Sequence, residues 1–399
     1  MTAAAAKAPT LSIVAASRND AHGGDIGKRM RFFVNGLLHQ TRRAGLDAEL
    51  IVVEWNPPER TPRLHEVLPR PTTGDMLRVR TVTVPAALHQ RFRHGDAIPL
   101  YQMVAKNVGI RRSRAERILC TNVDLIFSDA LADFLAQGPF DPHAFYRANR
   151  CDVPDAIDPV WDVPTQLDFC SRNVLRRLGH FSPREEPPVA RRPAAPIPGD
   201  PRFPHIRPAP LNPNWRYALY LRAINSAIAG VRWGNALFDH AIHRALGGAE
   251  RWAPPIAPPA DLPPPAPPGP EQVAYEALDM DACGDFTLMS RKAWMDIRGY
   301  AELDLYSIHV DSLALCAAAA LGYKQVVLPK ESCTYHLDHP AGWMSLAGIE
   351  RLRFLARRPG LDFETFRLAA LELLRDGKAL DLNSHDWGFA SHELEEHDL

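Results

Sequence analysis

The feature that most constrains the fold is a double change of hydrophobic period near the N-terminus. Leu11–Ser17 is a short apolar, β-branched run that predicts a buried strand. After a polar, glycine-containing loop, apolar residues recur at helical spacing over residues 28–44, and Gly45 follows where a helix-ending glycine belongs. Glu49–Val53 is a second apolar run. This β-α-β order predicts parallel strands joined by a right-handed crossover.

The same alternation continues to about residue 140. The further predicted elements are the strands Leu77–Val84 and Arg117–Val123, the helix Tyr101–Ser113, and a helix N-capped by Ser128. Such alternation predicts an α/β fold with a Rossmann-like, mostly parallel open sheet flanked by helices. Ligands of these sheets bind at the carboxyl ends of the strands.

The middle of the chain differs in composition. Pro183–Pro213 and Ala253–Pro270 are proline-rich and predict extended loops, with a helical pattern over Trp215–Ala249 between them. Globular patterning returns with the strands Phe286–Ser290 and Gln325–Leu328 and the helices Arg291–Gly299 and Asp311–Leu321. We therefore divide the chain into residues 1–182, an insertion 183–272, residues 273–345, and a helical C-terminal region 346–399 that ends in the acidic tail Glu393–Leu399.

Composition excludes several classes of protein. The formal net charge is −1, so a nucleic-acid-binding surface is not expected. No apolar stretch approaches the ~20 residues that a membrane span requires, and the N-terminus lacks a signal-peptide pattern. The six cysteines form no C-x-x-C pair, so a zinc knuckle is not expected. Their scattered positions favour a reducing compartment. We expect a cytoplasmic protein that could still meet a lipid-linked acceptor at a membrane surface.

The first group of candidate residues follows the strand Arg117–Val123. Asn122 and Asp124 stand at its carboxyl end, a usual place for a carboxylate that holds a divalent cation against phosphates. An aspartate that caps the next helix explains the same pattern equally well. The second group lies beyond the insertion and comprises the runs Gly284–Arg291, Ile308–Ser312 and Thr334–His339.

In the order of these motifs the chain resembles the GT-A glycosyltransferases. The resemblance covers roughly residues 10–140, where a polar loop after the first strand, an acidic residue after the second and an asparagine-glycine helix precede a D-x-D-like motif. The later runs resemble the C-terminal half of the β-1,4-galactosyltransferase-like enzymes. In those enzymes an acid at the start of a helix is the catalytic base, and a later histidine completes the metal site.

The resemblance implies a role for individual positions. It makes Asp124 and His336 ligands of Mn²⁺ or Mg²⁺, and it makes Asp311 the catalytic base with Asp285 as a second candidate. The nucleotide-sugar contacts that it implies are Ser17, Arg18, Asn19, Glu54, Lys106, Asn107 and Asn122.

The chain departs from the family pattern at two positions. Asn122 replaces the first acid of D-x-D and adds no charge to a metal site. Asp311 stands alone where the family has several acids, which leaves Asp285, Glu302 and Asp304 as rivals for the base.

The leading hypothesis is therefore a glycosyltransferase that uses a nucleotide-diphosphate donor, UDP-sugar by family frequency, and a saccharide or glycolipid acceptor, with inversion of configuration. The two departures motivate an alternative, a non-catalytic nucleotide-binding scaffold on the same fold. A sugar nucleotidyltransferase ranks lower, because the loop after the first strand is not the glycine-rich, basic phosphate loop of those enzymes.

Overall fold

A computed structural model describes residues 8–20, 24–179, 268–339, 353–354, 356–378 and 383–399. These residues belong to one unit of the chain, formed by residues 1–191 and 268–399. The predicted helix Trp215–Ala249 and the insertion 183–272, apart from its last five residues, lie outside the described residues.

The core of this unit is a mixed sheet of eight strands in the order β10-β6-β9-β4-β1-β2-β3-β12. The strands are β1 (Leu11–Ser17), β2 (Ala48–Trp55), β3 (Leu77–Val84), β4 (Arg117–Thr121), β6 (Ala144–Arg147), β9 (Phe286–Ser290), β10 (Lys324–Val327) and β12 (Glu395–Asp398). β1 to β4 pair in parallel, whereas β9 runs antiparallel between β4 and β6. The predicted α/β class with a mostly parallel sheet is confirmed.

Helices cover both faces of this sheet. They are α1 (Ile26–Ala44), α2 (Leu64–Val67), α3 (Ala86–His89), α4 (Gln102–Arg112), α5 (Asp129–Gln137), α6 (Val163–Arg172), α7 (Pro270–Glu276), α8 (Arg291–Asp296), α9 (Val310–Ala320) and α10 (Phe363–Asp376). Alternate residues of β1 explain the layering, since Ile13 shares one core with Phe33 of α1 and Val14 shares the other with Val108 of α4. None of the helices within the described ranges is long and apolar enough to cross a membrane.

Gly109 lies in the middle of α4, where glycine is a poor helix former. A Cβ at this position would lie 2.4 Å from Cγ1 of Val14 on β1. The glycine is therefore explained by the close approach of α4 to the sheet, although it weakens the helical pattern in the sequence.

A second sheet of four strands, in the order β5-β11-β7-β8, stands beside the carboxyl end of β4. Its strands are β5 (Leu125–Phe127), β7 (Asn149–Pro154), β8 (Arg176–Leu178) and β11 (Cys333–Asp338). β11 pairs antiparallel with β5 and in parallel with β7. The sequence patterns did not predict this sheet, and the candidate site is built on it.

The C-terminal segment differs from the predicted helical region with an acidic tail. α10 is helical, but residues 395–398 form β12, the edge strand that pairs antiparallel with β3. The acidic side chains have basic partners across this edge, because Glu395 lies 3.3 Å from Arg63 and Glu396 lies 2.7 Å from Arg80. The charge pattern that we interpreted as a tail is thus the pairing surface of an edge strand.

Candidate metal centre and active site

The candidate metal centre lies where the chain passes from the main sheet to the small one. Asp124 directly precedes β5, and the register of β5 with β11 sets His336 opposite Leu125. The peptide N–H of Leu337 donates to the carbonyl of Asp124 at 3.2 Å, which closes the two segments together. Two segments that are far apart in sequence are therefore fixed side by side by backbone pairing.

Three side chains converge at this point. Oδ2 of Asp124 lies 3.5 Å from Nε2 of His336 and 3.1 Å from Nε2 of His339. Their ligand atoms all lie within 4.8 Å of one another, the one such group among the residues that the structure describes. Oδ1 of Asp124 is buried and has no hydrogen-bond partner among those residues. One carboxylate with a spare oxygen and two imidazoles fit a divalent transition metal.

The charges of this group are coupled. Burial would raise the pKa of Asp124, but the imidazoles of His336 and His339 hold that pKa well below its usual range. Burial would lower the pKa of His336, but the carboxylates of Asp124 and Asp152 raise it to about 9. Without a metal the site therefore favours a proton on His336, and a bound cation would replace that positive charge.

Asn122 connects the metal centre to the main sheet. Its side-chain oxygen accepts hydrogen bonds from Lys106 and Gln102, each at 2.8 Å, and its amide nitrogen donates to Asp285 at 2.5 Å. Lys106 is fully buried and also donates to the carbonyl of Gly284 at 2.8 Å. The structure thus brings Asn122, Lys106 and Asp285 together. Asn122 and Lys106 are hydrogen-bonded to each other and to further residues of the protein.

Two further functional candidates, Arg150 and Asp152, were missed in the sequence. They lie on β7, and Arg150 donates through Nε to Asp152 at 2.6 Å and through Nη1 to Asp285 at 2.9 Å. Nη2 of Arg150 and Oδ1 of Asp152 both contact Nδ1 of His336, at 3.0 and 3.1 Å. The signal that could have found them is the polar-apolar alternation of Arg150 to Val153, which is typical of a strand with one polar face.

Asp311, the candidate base, lies in the first turn of α9. A Cβ on Gly284 would lie 2.8 Å from Oδ2 of Asp311, so the carboxylate rests directly against this glycine. His309, two residues before Asp311, has a φ of 63°. This left-handed backbone conformation is costly for any residue with a Cβ. The ring of His309 stacks on Phe366 at 5.0 Å, which fixes the start of α9.

The residues predicted at the end of β1 and just after it lie at the same edge of the sheet. Ser17 donates to the sulfur of Met30 at 3.2 Å, Arg18 donates to the carbonyl of Asn56 at 2.7 Å, and Asn19 donates to the carbonyl of Pro62 at 2.7 Å. A surface pocket of about 140 Å³ opens beside Asn19, with Gly27, Met30, Arg31, Val67 and Leu68 as its other lining residues.

Glu54 and Asn107, two other predicted nucleotide contacts, have internal partners. The buried carboxylate of Glu54 accepts from Arg63 at 2.7 Å and from the N–H of Leu64 at 2.9 Å, which anchors α2. Asn107 donates to the carbonyl of Tyr300 and accepts from the same residue's N–H, both at 2.8 Å.

The two remaining rivals for the base also have internal partners. Glu302 accepts from Asn107 at 3.0 Å and from the N–H of Gly388 at 2.8 Å. Asp304 accepts from the N–H of Arg93 at 2.6 Å and from Tyr101 at 2.8 Å. These bonds hold loops and the C-terminal segment, which leaves Asp311 and Asp285 as the two candidates.

Fold and site together define an α/β protein with a candidate divalent-metal centre at the carboxyl edge of its main sheet. No protein-family model matches the chain, and no curated protein matches its sequence. The function is therefore argued from the site itself.

Proposed function

We propose that this protein is a metal-dependent glycosyltransferase of the GT-A type. It would move a sugar, with inversion, from a nucleotide-diphosphate donor such as a UDP-sugar to a hydroxyl group of a saccharide or glycolipid. The observation that carries the proposal is the meeting of Asp124 with His336, the two residues that the resemblance assigns to the metal. They belong to separate motifs, and the pairing of β5 with β11 supports their joint role.

The strand order of the main sheet adds support. Antiparallel β9 lies next to β4, so the Gly284–Asp285 turn before β9 lies beside Asn122 after β4. Motifs from both sides of residues 183–272 therefore face one edge, as a donor site and a catalytic base in one active site require.

A buried arginine lies at this edge. Burial lowers the pKa of Arg29, in the first turns of α1, while the carboxylates of Asp124, Asp155, Asp25 and Asp20 oppose that shift. A cation held by Asp124, His336 and His339 would neutralise the diphosphate and assist its departure. We assign the nucleoside to the pocket beside Asn19, which adjoins the same end of α1.

Asp311 is the base in this proposal. Its Oδ2 takes the proton of the acceptor hydroxyl while the hydroxyl oxygen forms its bond to the anomeric carbon. The bond from that carbon to the phosphate oxygen breaks, and the nucleoside diphosphate leaves with the electron pair. Gly284 leaves room for this carboxylate, and the peptide N–H of Ser312 donates to its other oxygen at 2.9 Å.

The test is turnover of the purified protein with a panel of nucleotide sugars and Mn²⁺, measured as release of the nucleoside diphosphate. Asp124→Ala should reduce turnover at least 100-fold while keeping the melting temperature of the metal-free protein. Asp168→Ala, which removes an exposed ion pair with Arg172, is the matched control and should keep full activity. Metal and nucleotide binding without turnover on any donor would replace the proposal with the scaffold hypothesis.

A further inference from the structure

The polar face of β7 lies directly behind the metal centre. Arg150 and Asp152 alternate with Cys151 and Val153, which are buried on the other side of the strand. The side chain of Asp152 is only 3% exposed. A charged side chain at such depth requires partners, and its partners include a histidine of the metal centre.

His336 and Asp152 are register partners on the parallel strands β11 and β7. The distance of 3.1 Å between Nδ1 of His336 and Oδ1 of Asp152 is therefore set by backbone pairing. Arg150 holds Oδ1 of Asp152 at 2.6 Å, and Arg176 holds Oδ2 at 2.7 Å. Asp152 thus has a fixed position and does not depend on the metal centre for its place.

The two nitrogens of His336 face different groups. Nε2 points toward Asp124, and Nδ1 points toward Asp152 and Arg150. A neutral imidazole carries one proton, and a ring that binds a cation through Nε2 must carry that proton on Nδ1. Of the two neighbours of Nδ1, only the carboxylate of Asp152 can accept that proton in a hydrogen bond, since a guanidinium is a donor only.

We propose that Asp152 is a positioning residue of the metal centre. By accepting a hydrogen bond from Nδ1–H of His336, it selects the ring tautomer whose Nε2 lone pair faces Asp124 and the cation. Outer carboxylates of this kind orient metal-binding histidines, and their removal costs metal affinity about 10–100-fold. The inference rests on the metal centre of the proposed function and extends it to a residue that touches neither the cation nor the substrate.

A double-mutant cycle on Mn²⁺ affinity tests this inference, with titration calorimetry on the full chain as the measurement. Asp152→Asn should weaken Mn²⁺ binding about 10–100-fold in the otherwise unchanged protein. In the background of His336→Ala the same substitution should cause no further loss, because the ring that Asp152 orients is gone. A merely structural role for Asp152 would weaken binding equally in both backgrounds.

The matched control is Glu49→Gln, which neutralises a buried carboxylate paired with Arg80 at the opposite end of the main sheet. It should leave Mn²⁺ affinity unchanged. Melting temperatures without metal separate lost folding from lost affinity. If Asp152→Asn does not fold, Asp152→Glu replaces it, since it keeps the charge for Arg150 and Arg176 but moves the carboxylate.

The outcomes separate this inference from the proposed function. Tight Mn²⁺ binding that is unchanged by Asp152→Asn, or an equal loss in both backgrounds, overturns the role of Asp152 alone. Absence of Mn²⁺ binding by the unmodified protein overturns the metal centre itself, and with it both proposals.

Discussion

Asn122 is the residue at which the site departs most from a D-x-D pattern, and its contacts give a physical reason. Its amide donates to the carboxylate of Asp285 while its oxygen accepts from Lys106 and Gln102. A carboxylate could keep the two acceptor contacts but could not donate to Asp285. An amide side chain is therefore needed at this position, because Asp285, just before β9, accepts a hydrogen bond from it.

Asn122→Asp should accordingly destabilise the protein. The new carboxylate cannot donate to Asp285 and repels it at contact distance, while Lys106 faces its other oxygen, so we expect a loss of about 2 kcal/mol in the free energy of unfolding. Urea unfolding at pH 8 measures this loss, and Asn122→Ala, which adds no charge, is the control that separates the repulsion from the lost hydrogen bonds. Equal stability of Asn122→Asp and the unmodified protein at pH 8 would refute the argument.

Gly284→Ala tests the assignment of the base at the same scale. The added Cβ would meet Oδ2 of Asp311 at 2.8 Å and displace it, so kcat should fall at least 10-fold. The matched control is Gly36→Ala, whose Cβ would make an ordinary 3.5 Å contact with Ile126. A kcat that survives Gly284→Ala would exclude Asp311 as the base.

Among the elements, α4 connects the candidate site to the C-terminal segment. One side of this helix carries Lys106 toward Asn122, and its end carries Arg112, which donates to the carbonyls of Gly388 and His392 at 3.0 and 2.8 Å. The C-terminal residues are thus part of the support for the site.

Glu302 is the acid that joins these two elements, and its titration should be visible in stability. Burial raises its pKa above the ordinary value, while the hydrogen bonds from Asn107 and Gly388 oppose that rise. An acid with a raised pKa in the folded state stabilises the fold below its unfolded pKa, near 4.3, and that contribution is lost as the pH rises through the folded pKa. Glu302→Gln keeps the acceptor oxygen, so its urea stability should match or exceed that of the unmodified protein at pH 8.

Urea unfolding of Glu302→Gln and of the unmodified protein is compared at pH 4 and at pH 8. The difference between their free energies of unfolding should grow as the pH rises. Glu372→Gln, on α10 and outside this contact, is the control and should follow the unmodified protein. If Glu302→Gln is less stable at pH 8, the charge itself is needed and the assignment of the pKa shift is wrong.

For the molecule as a whole, most of the main sheet was predictable, whereas its strands β6 and β12 and the whole small sheet were not. Long apolar runs with turn residues between them predicted β1, β2, β3 and β9, and the rule that parallel strands share a carboxyl edge predicted that Asn122 and Asp124 would face the loop after β1. β7 and β11 bury polar residues such as Asn149, Asp152 and His336. Burial of charge depends on partners from distant segments, and a local pattern carries no information about those partners.

Binding of metal should stabilise the whole unit, because the metal centre joins segments from both ends of it. Mn²⁺ at about 100 times its dissociation constant should add 2.7 kcal/mol to the free energy of unfolding, and UDP should add to this effect only when Mn²⁺ is present. Thermal unfolding with and without EDTA measures both effects. At the same Mn²⁺ concentration His336→Ala should show a smaller response, whereas His143→Ala, which changes an exposed histidine before β6, should keep the full response. A response to UDP that is independent of metal would contradict the proposed donor site.

The close contact of Gly109 with β1 sets the distance between α4 and the main sheet at the candidate site. Because a Cβ at Gly109 would lie 2.4 Å from Val14, any larger residue would push α4 away from the sheet. The same helix carries Lys106, whose ammonium reaches Asn122 at 2.8 Å with a side chain that is already fully buried. A residue without any functional group therefore determines how far Lys106 can reach. A substitution at Gly109 would therefore alter the distance between Lys106 and Asn122 without replacing any polar side chain of the candidate site.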